Sequence, residues 1–245
     1  MITDAFAPLF LKTINVMHEN PVHLLFNQWW QHAPASVVSA YREQLLADPD
    51  FAAFIETRHF AEPLDLDALE ALPEETLGRR YRDWIVDNGL TAQIAMDYRM
   101  FHKVLADNGM LDGMPEELQY AVLRGFQLHD FLHVLTGYDP SPQGEIALQA
   151  FCLAQLQFPY FAMWLSTTTT QMTYLDPTQI VPLMDAISDG WAYGRSTRML
   201  QLHTWEDELE RSLDDIRTEW GIQPSRLVEE LGRRATVGAG AGRTG

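Results

Sequence analysis

Apolar residues at helical spacing are the feature that most restricts how this chain can fold. They recur three or four positions apart along most of the sequence, for example from Val37 to Leu46, as in helices with one buried face. Asn-Gly pairs that begin at Asn88 and Asn108 supply a residue able to end a helix. Alternating β-branched runs are absent from the sequence. We therefore predict an all-α fold of roughly seven to nine helices, with the threonines at 167–170 in a loop or frayed helix end.

No internal linker divides the chain of 245 residues. The stretch rich in proline and glycine, residues 137–144, has the length of an ordinary connection between packed helices. We predict a single compact multi-helix domain over residues 1–235. The Gly/Ala-rich residues 236–245 have low complexity and are expected to form a disordered tail.

The charge balance restricts the partners of the protein. Lysine and arginine number 17 against 34 aspartates and glutamates, which gives a formal net charge of −17. A surface of this kind repels phosphate groups, so we predict that the protein does not bind nucleic acid. Hydrophobic residues make up 47% of the chain, which is enough to bury a core and excludes disorder as the main state.

The sequence lacks several features that would indicate secretion or insertion into a membrane. The single cysteine, Cys152, cannot form an intramolecular disulfide, and the first residues lack the charged and apolar regions of a signal peptide. The longest apolar segment, residues 147–165, is interrupted by Pro159 and three glutamines, so we predict no transmembrane span. We expect a cytoplasmic protein. Peripheral contact with the inner face of the membrane and assembly as a homodimer are both compatible with the sequence.

One cluster of residues stands out for its chemistry: His129, Asp130 and His133, followed after eleven residues by Glu145. The two histidines are four positions apart, so they share one face of a predicted helix. Asp130 is about 100° away around the helix axis. Ser141 and the proline after it are predicted to start the next helix, which would place Glu145 in its first turns. A hairpin of the two helices would bring Glu145 back toward the histidines.

These four side chains form a suitable metal site. Two neutral imidazoles and two carboxylates balance the charge of a divalent cation and supply the nitrogen and oxygen ligands that Zn²⁺ prefers. Fe²⁺ and Mn²⁺ accept much the same ligands, so the residue types alone do not select the ion. Both a structural and a catalytic role agree with this ligand set. We predict that His129, Asp130, His133 and Glu145 bind the metal and form the catalytic site.

The motif H-D-x-x-H-x(11)-E formed by these residues resembles the signature of the Coq4 family of coenzyme Q (ubiquinone) biosynthesis proteins. The resemblance extends over about residues 70–222 and includes residues 72–81, Gly194 and Glu206. Where the family pattern has lysine and glutamate in the helix after the motif, this chain has Gln149 and Cys152. The sequence is therefore similar to a divergent bacterial-type member.

The resemblance implies an all-helical protein that acts on a polyprenylated aromatic precursor of ubiquinone. It implies a zinc-dependent enzyme, a decarboxylase that removes the ring carboxyl at C1, with hydroxylation of the same carbon. It also implies contacts with other ubiquinone-biosynthesis proteins. A prenyl tail needs an apolar channel, and flexible or aromatic side chains could line it. The candidates are Trp84, Met96, Met100, Phe151, Phe158, Tyr160, Phe161, Met163 and Trp164.

Two alternatives are kept open. The first is a non-catalytic scaffold that binds an isoprenoid lipid, with apolar residues of the segment 6–16 docked on a membrane or partner. The second is an HD-type metal-dependent phosphohydrolase, in which the adjacent His129 and Asp130 would be joined by His102 and a distant Asp185 or Asp189. This arrangement would give His133 and Glu145 no role.

Overall fold

A computed structural model of the protein describes residues 2–16, 22–91, 98–225 and 227. Within these residues the chain forms twelve α-helices and no strand, which confirms the all-α prediction. The helices are α1 (Ala7–Asn15), α2 (Val22–His32), α3 (Ala35–Leu46), α4 (Pro49–Thr57), α5 (Leu66–Glu70), α6 (Leu77–Asp87), α7 (Tyr98–Asp107), α8 (Glu116–Thr136), α9 (Pro142–Leu156), α10 (Pro159–Leu175), α11 (Ile180–Ser196) and α12 (Leu213–Trp220). Short 3₁₀ turns occupy Pro177–Gln179 and Trp205–Glu208. The predicted tail at 236–245 and the channel candidate Met96 lie outside the described residues.

Local sequence signals account for several of the helix ends. Helices α6 and α7 end just before Asn-Gly pairs, and Gly89 and Gly109 adopt positive φ angles of 70° and 67°. Both ends agree with the prediction. There are more helices than predicted, because short ones such as α5 start at caps like Asp65, whose carboxylate accepts hydrogen bonds from the next turn.

The four threonines at 167–170 form no loop, so that prediction was wrong. They lie in the middle of α10. Thr167 Oγ1 donates a hydrogen bond to the Met163 carbonyl at 2.9 Å, and Thr170 Oγ1 donates to the Ser166 carbonyl at 2.8 Å. The hydroxyl groups of Thr167 and Thr170 are therefore satisfied by the preceding helical turn, and the surrounding packing outweighs the weak helix propensity of threonine.

Two hydrophobic clusters share the interior. The first joins α6, α8, α9, α11 and α12 and includes Ile85, Leu128 and Phe151. The second joins α2 to the beginning of α8 and the loop before α10, and includes Phe26, Leu118 and Phe158. Helices α8 and α9 contribute to both clusters and are therefore held from two sides. In the described part of the chain, no helix combines the length and apolar character needed to cross a bilayer.

Candidate metal centre and the adjoining cavity

The hairpin of α8 and α9 brings His129, His133 and Glu145 together, as the motif predicted. Potential ligand atoms of these three residues all lie within 4.8 Å of one another. Ser141 Oγ accepts a hydrogen bond from the Gly144 amide at 3.1 Å and caps α9, which fixes its first turn. A Cβ at Gly144 would lie 2.0 Å from the Asp139 carbonyl oxygen, so only glycine allows the hairpin to close here.

His133 is held from two sides and leaves one nitrogen free. Its Nδ1 donates to the Tyr138 carbonyl oxygen at 2.9 Å, and its ring stacks on Trp84 with centroids 4.9 Å apart. The side chain is 0% exposed, and its Nε2 has no hydrogen-bond partner. Glu145 Oε1 lies 3.2 Å from this nitrogen, but not in hydrogen-bonding geometry. A buried nitrogen lone pair facing a carboxylate, with the other ring nitrogen fixed by a carbonyl, is the arrangement of a histidine metal ligand.

Asp130 lies on the opposite side of His129 from the other groups. Its Oδ1 is 3.0 Å from His129 Nδ1, whereas His129 Nε2 faces Glu145 Oε2 at 3.6 Å. The structure thus brings three of the four predicted ligands together and places Asp130 behind one of them. A carboxylate in this position fixes the tautomer and orientation of a ligating imidazole.

The charges of the site favour an ionised carboxylate. Burial opposes charge on Glu145, but the neighbouring His129 and His133 imidazoles outweigh it and lower the Glu145 pKa to about 2. Burial also lowers the pKa of His129, but its bonds to Asp130 and Glu145 raise it overall, to about 9. A cation at this place would replace the positive charge that the histidine otherwise carries.

His129 and Glu145 line a largely apolar cavity of about 580 Å³. Residues of α2, α7, α8, α9 and α10 line it, together with Gln201 from the segment after α11. Such a volume suits a small apolar ligand or part of a larger one. Four of the nine predicted channel residues line it, namely Phe158, Tyr160, Phe161 and Trp164.

The other described channel candidates have different surroundings. Trp84 stacks on His133, and Phe151 is buried in the first hydrophobic cluster. Met100 is mostly exposed, and Met163 lines a separate cavity beside α1. The prediction from aromatic and methionine content therefore assigned too many residues to the channel, because sequence spacing does not distinguish a core residue from a residue in a cavity wall.

The residues for a phosphohydrolase site are not assembled. His102 Nε2 lies 3.3 Å from Gln119 Oε1, and Asp189 accepts a hydrogen bond from the Tyr138 hydroxyl at 2.6 Å. Over the residues that the structure describes, the metal-ligand group contains neither of them, nor Asp185. The hairpin histidines and Glu145 thus form a site without the HD-type partners.

Sequence comparison connects this site with known proteins. A sequence model of the family described as coenzyme Q (ubiquinone) biosynthesis protein Coq4 matches residues 31–226. The chain belongs to the Coq4 family. The match begins well before residue 70, where the resemblance in the sequence first became visible, and it includes the whole metal motif.

Two curated relatives of this Coq4 family member are fungal proteins. The mitochondrial ubiquinone biosynthesis protein coq-4 of Neurospora crassa is 28% identical over 202 residues, which cover 79% of this chain and 52% of the relative. That of Talaromyces marneffei is 30% identical over 203 residues, covering 78% of this chain and 62% of the relative. The chain thus spans between about half and two thirds of the length of these relatives.

A solved structure supports the fold. The crystal structure of a protein from Nostoc punctiforme superimposes with a TM-score of 0.70 at 24% sequence identity. The superposition covers 89% of this chain and 97% of that one. The helical architecture of this chain is therefore shared with an experimentally determined protein.

Proposed function

We propose that this Coq4 family member takes part in ubiquinone biosynthesis as a metal-dependent decarboxylase of a polyprenylated aromatic precursor. The observation that carries the proposal is the unpartnered, buried Nε2 of His133, which faces Glu145, a residue in the wall of an apolar cavity. The ring carboxylate would lie at the metal site and the prenyl tail would lie along the cavity. The proposal rests on the site and the family together, because a shared fold by itself does not define a reaction.

The side chains fit a divalent cation. His129, His133 and Glu145 would hold it through two imidazole nitrogens and a carboxylate, the donor set of many zinc sites. Asp130 Oδ1 would accept a hydrogen bond from the protonated Nδ1 of His129 and so keep Nε2 bare for the ion. Zinc is the ion we propose, although Fe²⁺ and Mn²⁺ accept the same donors. Three protein ligands leave room for a substrate oxygen.

The metal site and the cavity wall would have different roles in decarboxylation. A bound cation would supply Lewis-acid chemistry toward the ring carboxylate. The apolar wall, including Phe161 and Trp164, would hold the prenyl tail away from solvent. The bond between C1 and the carboxyl carbon breaks, its electron pair stays on C1, a proton from water adds there, and CO₂ leaves. We limit the proposal to this step, because replacing the hydrogen by a hydroxyl group also consumes an oxidant.

Product analysis tests the proposal. The purified protein, with its metal content measured, is incubated with a prenylated hydroxybenzoate, and the product that has lost CO₂ is sought by mass spectrometry. We expect His133→Ala to lose both stoichiometric metal and product, whereas His102→Ala, a matched control outside the site, keeps both. Turnover by a folded Glu145→Ala variant would contradict the proposal. Ligand binding with metal but without any product would support the lipid-binding scaffold instead.

Other partners follow from the chemistry of the substrate. A polyprenylated molecule resides in a bilayer, so a protein that uses it has to meet the membrane surface. Peripheral membrane contact and contact with other ubiquinone-biosynthesis proteins are therefore part of the proposal. Co-sedimentation with neutral phospholipid vesicles tests the first of them.

A further inference from the structure

One polar side chain in the cavity wall has an atom without a partner. Gln149 is only 5% exposed, and its Oε1 makes no hydrogen bond within the protein. It lines the same cavity as His129 and Glu145. A buried carboxamide oxygen costs free energy unless a water or a ligand satisfies it.

The position of Gln149 relative to the metal centre is set by helix geometry. It follows Glu145 by four residues on α9, so the two side chains share one face about 6 Å apart along the helix axis. This is close to the separation of two substituents on opposite sides of a benzene ring. A group held at Glu145 and a second group at Gln149 could thus belong to one aromatic ring.

On the side of Gln149 away from Glu145, the cavity-lining groups are neutral. Cys152, three residues further on, also lines the cavity, and burial together with the nearby Glu145 carboxylate raises the pKa of its thiol. Gln201 completes this part of the wall and donates from Nε2 to the Cys152 carbonyl at 3.2 Å. An uncharged wall with one free acceptor suits a neutral hydrogen-bond donor better than an ion.

We infer that Gln149 determines ligand specificity by accepting a hydrogen bond from a ring hydroxyl group of the bound aromatic molecule. The inference rests on the proposed function, in which the carboxylate of the same ring lies at His129, His133 and Glu145. Gln149 would thus select a hydroxylated ring over a ring without the hydroxyl group. A site built around a hydrogen bond rejects a ligand that lacks it, because the buried polar atom then remains unpaired.

Calorimetric titration of the full chain with two ligands tests this role. The ligands are 3-geranyl-4-hydroxybenzoate and 3-geranylbenzoate, which lacks only the ring hydroxyl. We expect the wild type to bind the hydroxylated ligand about tenfold more tightly. Gln149→Met, which keeps the length of the side chain, should lose this preference and bind 3-geranylbenzoate as the wild type does. Leu156→Met, a control in the same cavity, should retain the preference.

The outcomes separate the inference from the proposed function. Equal binding of both ligands to the wild type, or an unchanged preference in Gln149→Met, would overturn the role of Gln149 and leave the proposed function standing. Failure of the wild type to bind either ligand would overturn both.

Thermal unfolding of the ligand-free protein gives a second test of the role of Gln149. Gln149→Met removes an unsatisfied atom and should not lower the midpoint. A clear drop would show that Gln149 holds the fold together, which would contradict the inference.

Discussion

Two glutamines on α9 differ in what surrounds their polar atoms. Gln155 donates from Nε2 to the Arg198 carbonyl at 2.7 Å, and its Oε1 accepts from the Leu200 amide at 3.0 Å. Gln149 is buried to a similar degree, but its Oε1 has no partner. Burial alone therefore does not separate structural from functional residues. A buried polar group whose bonds are complete supports the fold, whereas one with a free atom next to a cavity is available for a ligand.

The same difference separates two larger regions. The structural region contains Gln155, the close contact between α9 and α11, and the ion pair of Arg124 with Glu206. The cavity region contains His133, Gln149 and the cavity wall. Changes in the structural region should alter stability, and changes in the cavity region should alter binding.

We expect the largest loss of stability from Glu206→Ala. Glu206 accepts two hydrogen bonds of 2.7 Å from Arg124, whose side chain is 1% exposed. The substitution would leave a buried guanidinium unpaired, at a cost of about 3–5 kcal/mol in unfolding free energy. Urea denaturation measures it. As a control, Glu62→Ala removes the exposed pair with Arg99 and should cost less than about 1 kcal/mol. Equal effects of the two variants would contradict the distinction.

A smaller loss is expected from Gly190→Ala, which tests the packing of α11 on α9. A Cβ at Gly190 would lie 1.9 Å from the Ala147 carbonyl oxygen, so the helices would have to separate. We expect a loss of about 2–3 kcal/mol, visible as a lower thermal midpoint. The control is Gly125→Ala in α8, where an added Cβ meets nothing within 4 Å. It should stabilise the protein by up to about 1 kcal/mol. A harmless Gly190→Ala would show that the two helices can move apart freely.

Next to the cavity region, Asp130→Asn should weaken the proposed zinc binding about tenfold and leave the unfolding transition of the metal-free protein almost unchanged. The amide would no longer hold His129 in the tautomer that points Nε2 toward Glu145. Competition with a chromogenic chelator measures the affinity, with Asp214→Asn at an exposed site as control. An unchanged affinity would remove the positioning role. Complete loss of bound metal would show that Asp130 is a direct ligand, as the motif predicts.

The smallest effect concerns pH. Burial favours the protonated form of Glu208, but hydrogen bonds from Arg211 and His203 outweigh it and hold its pKa below the ordinary value of 4.5. Because the pKa of Glu208 is lower in the folded than in the unfolded state, its ionised form stabilises the fold in full at pH values above 4.5. This stabilisation is lost as the pH falls below 4.5 and through the pKa of the folded state. Glu208→Gln should therefore cost at most about 1 kcal/mol at pH 7 and less at pH 4. Urea denaturation of both proteins at the two pH values tests this, and an equal difference at both would exclude the ion-pair explanation.

Much of the site was predictable because its determinants are local. The four-residue spacing of His129 and His133 fixes a shared helix face, and Ser141 and Gly144 fix the start of α9. The all-α fold and the two Asn-Gly helix ends follow from equally local signals. Three of the four predicted ligands meet for this reason.

Other features depend on contacts that distant residues make. The role of Asp130 follows from the rotation of α8 relative to α9, which sequence spacing does not give. In the sequence Gln149 is a polar residue in an apolar run and a departure from the family pattern, but its free oxygen appears only when the cavity is formed. Glu206, the ion-pair partner of Arg124, lies 82 residues away in the sequence, so no periodic pattern predicts this pair.

By itself the sequence determined the all-α class, several helix ends and the spacing that places two imidazoles on one face, since these depend on residues within a few turns. The tertiary structure decided which buried polar atoms find partners, which aromatic side chains form the core and which line the cavity. Those outcomes depend on how helices far apart in the chain pack together. Local propensity does not encode this packing.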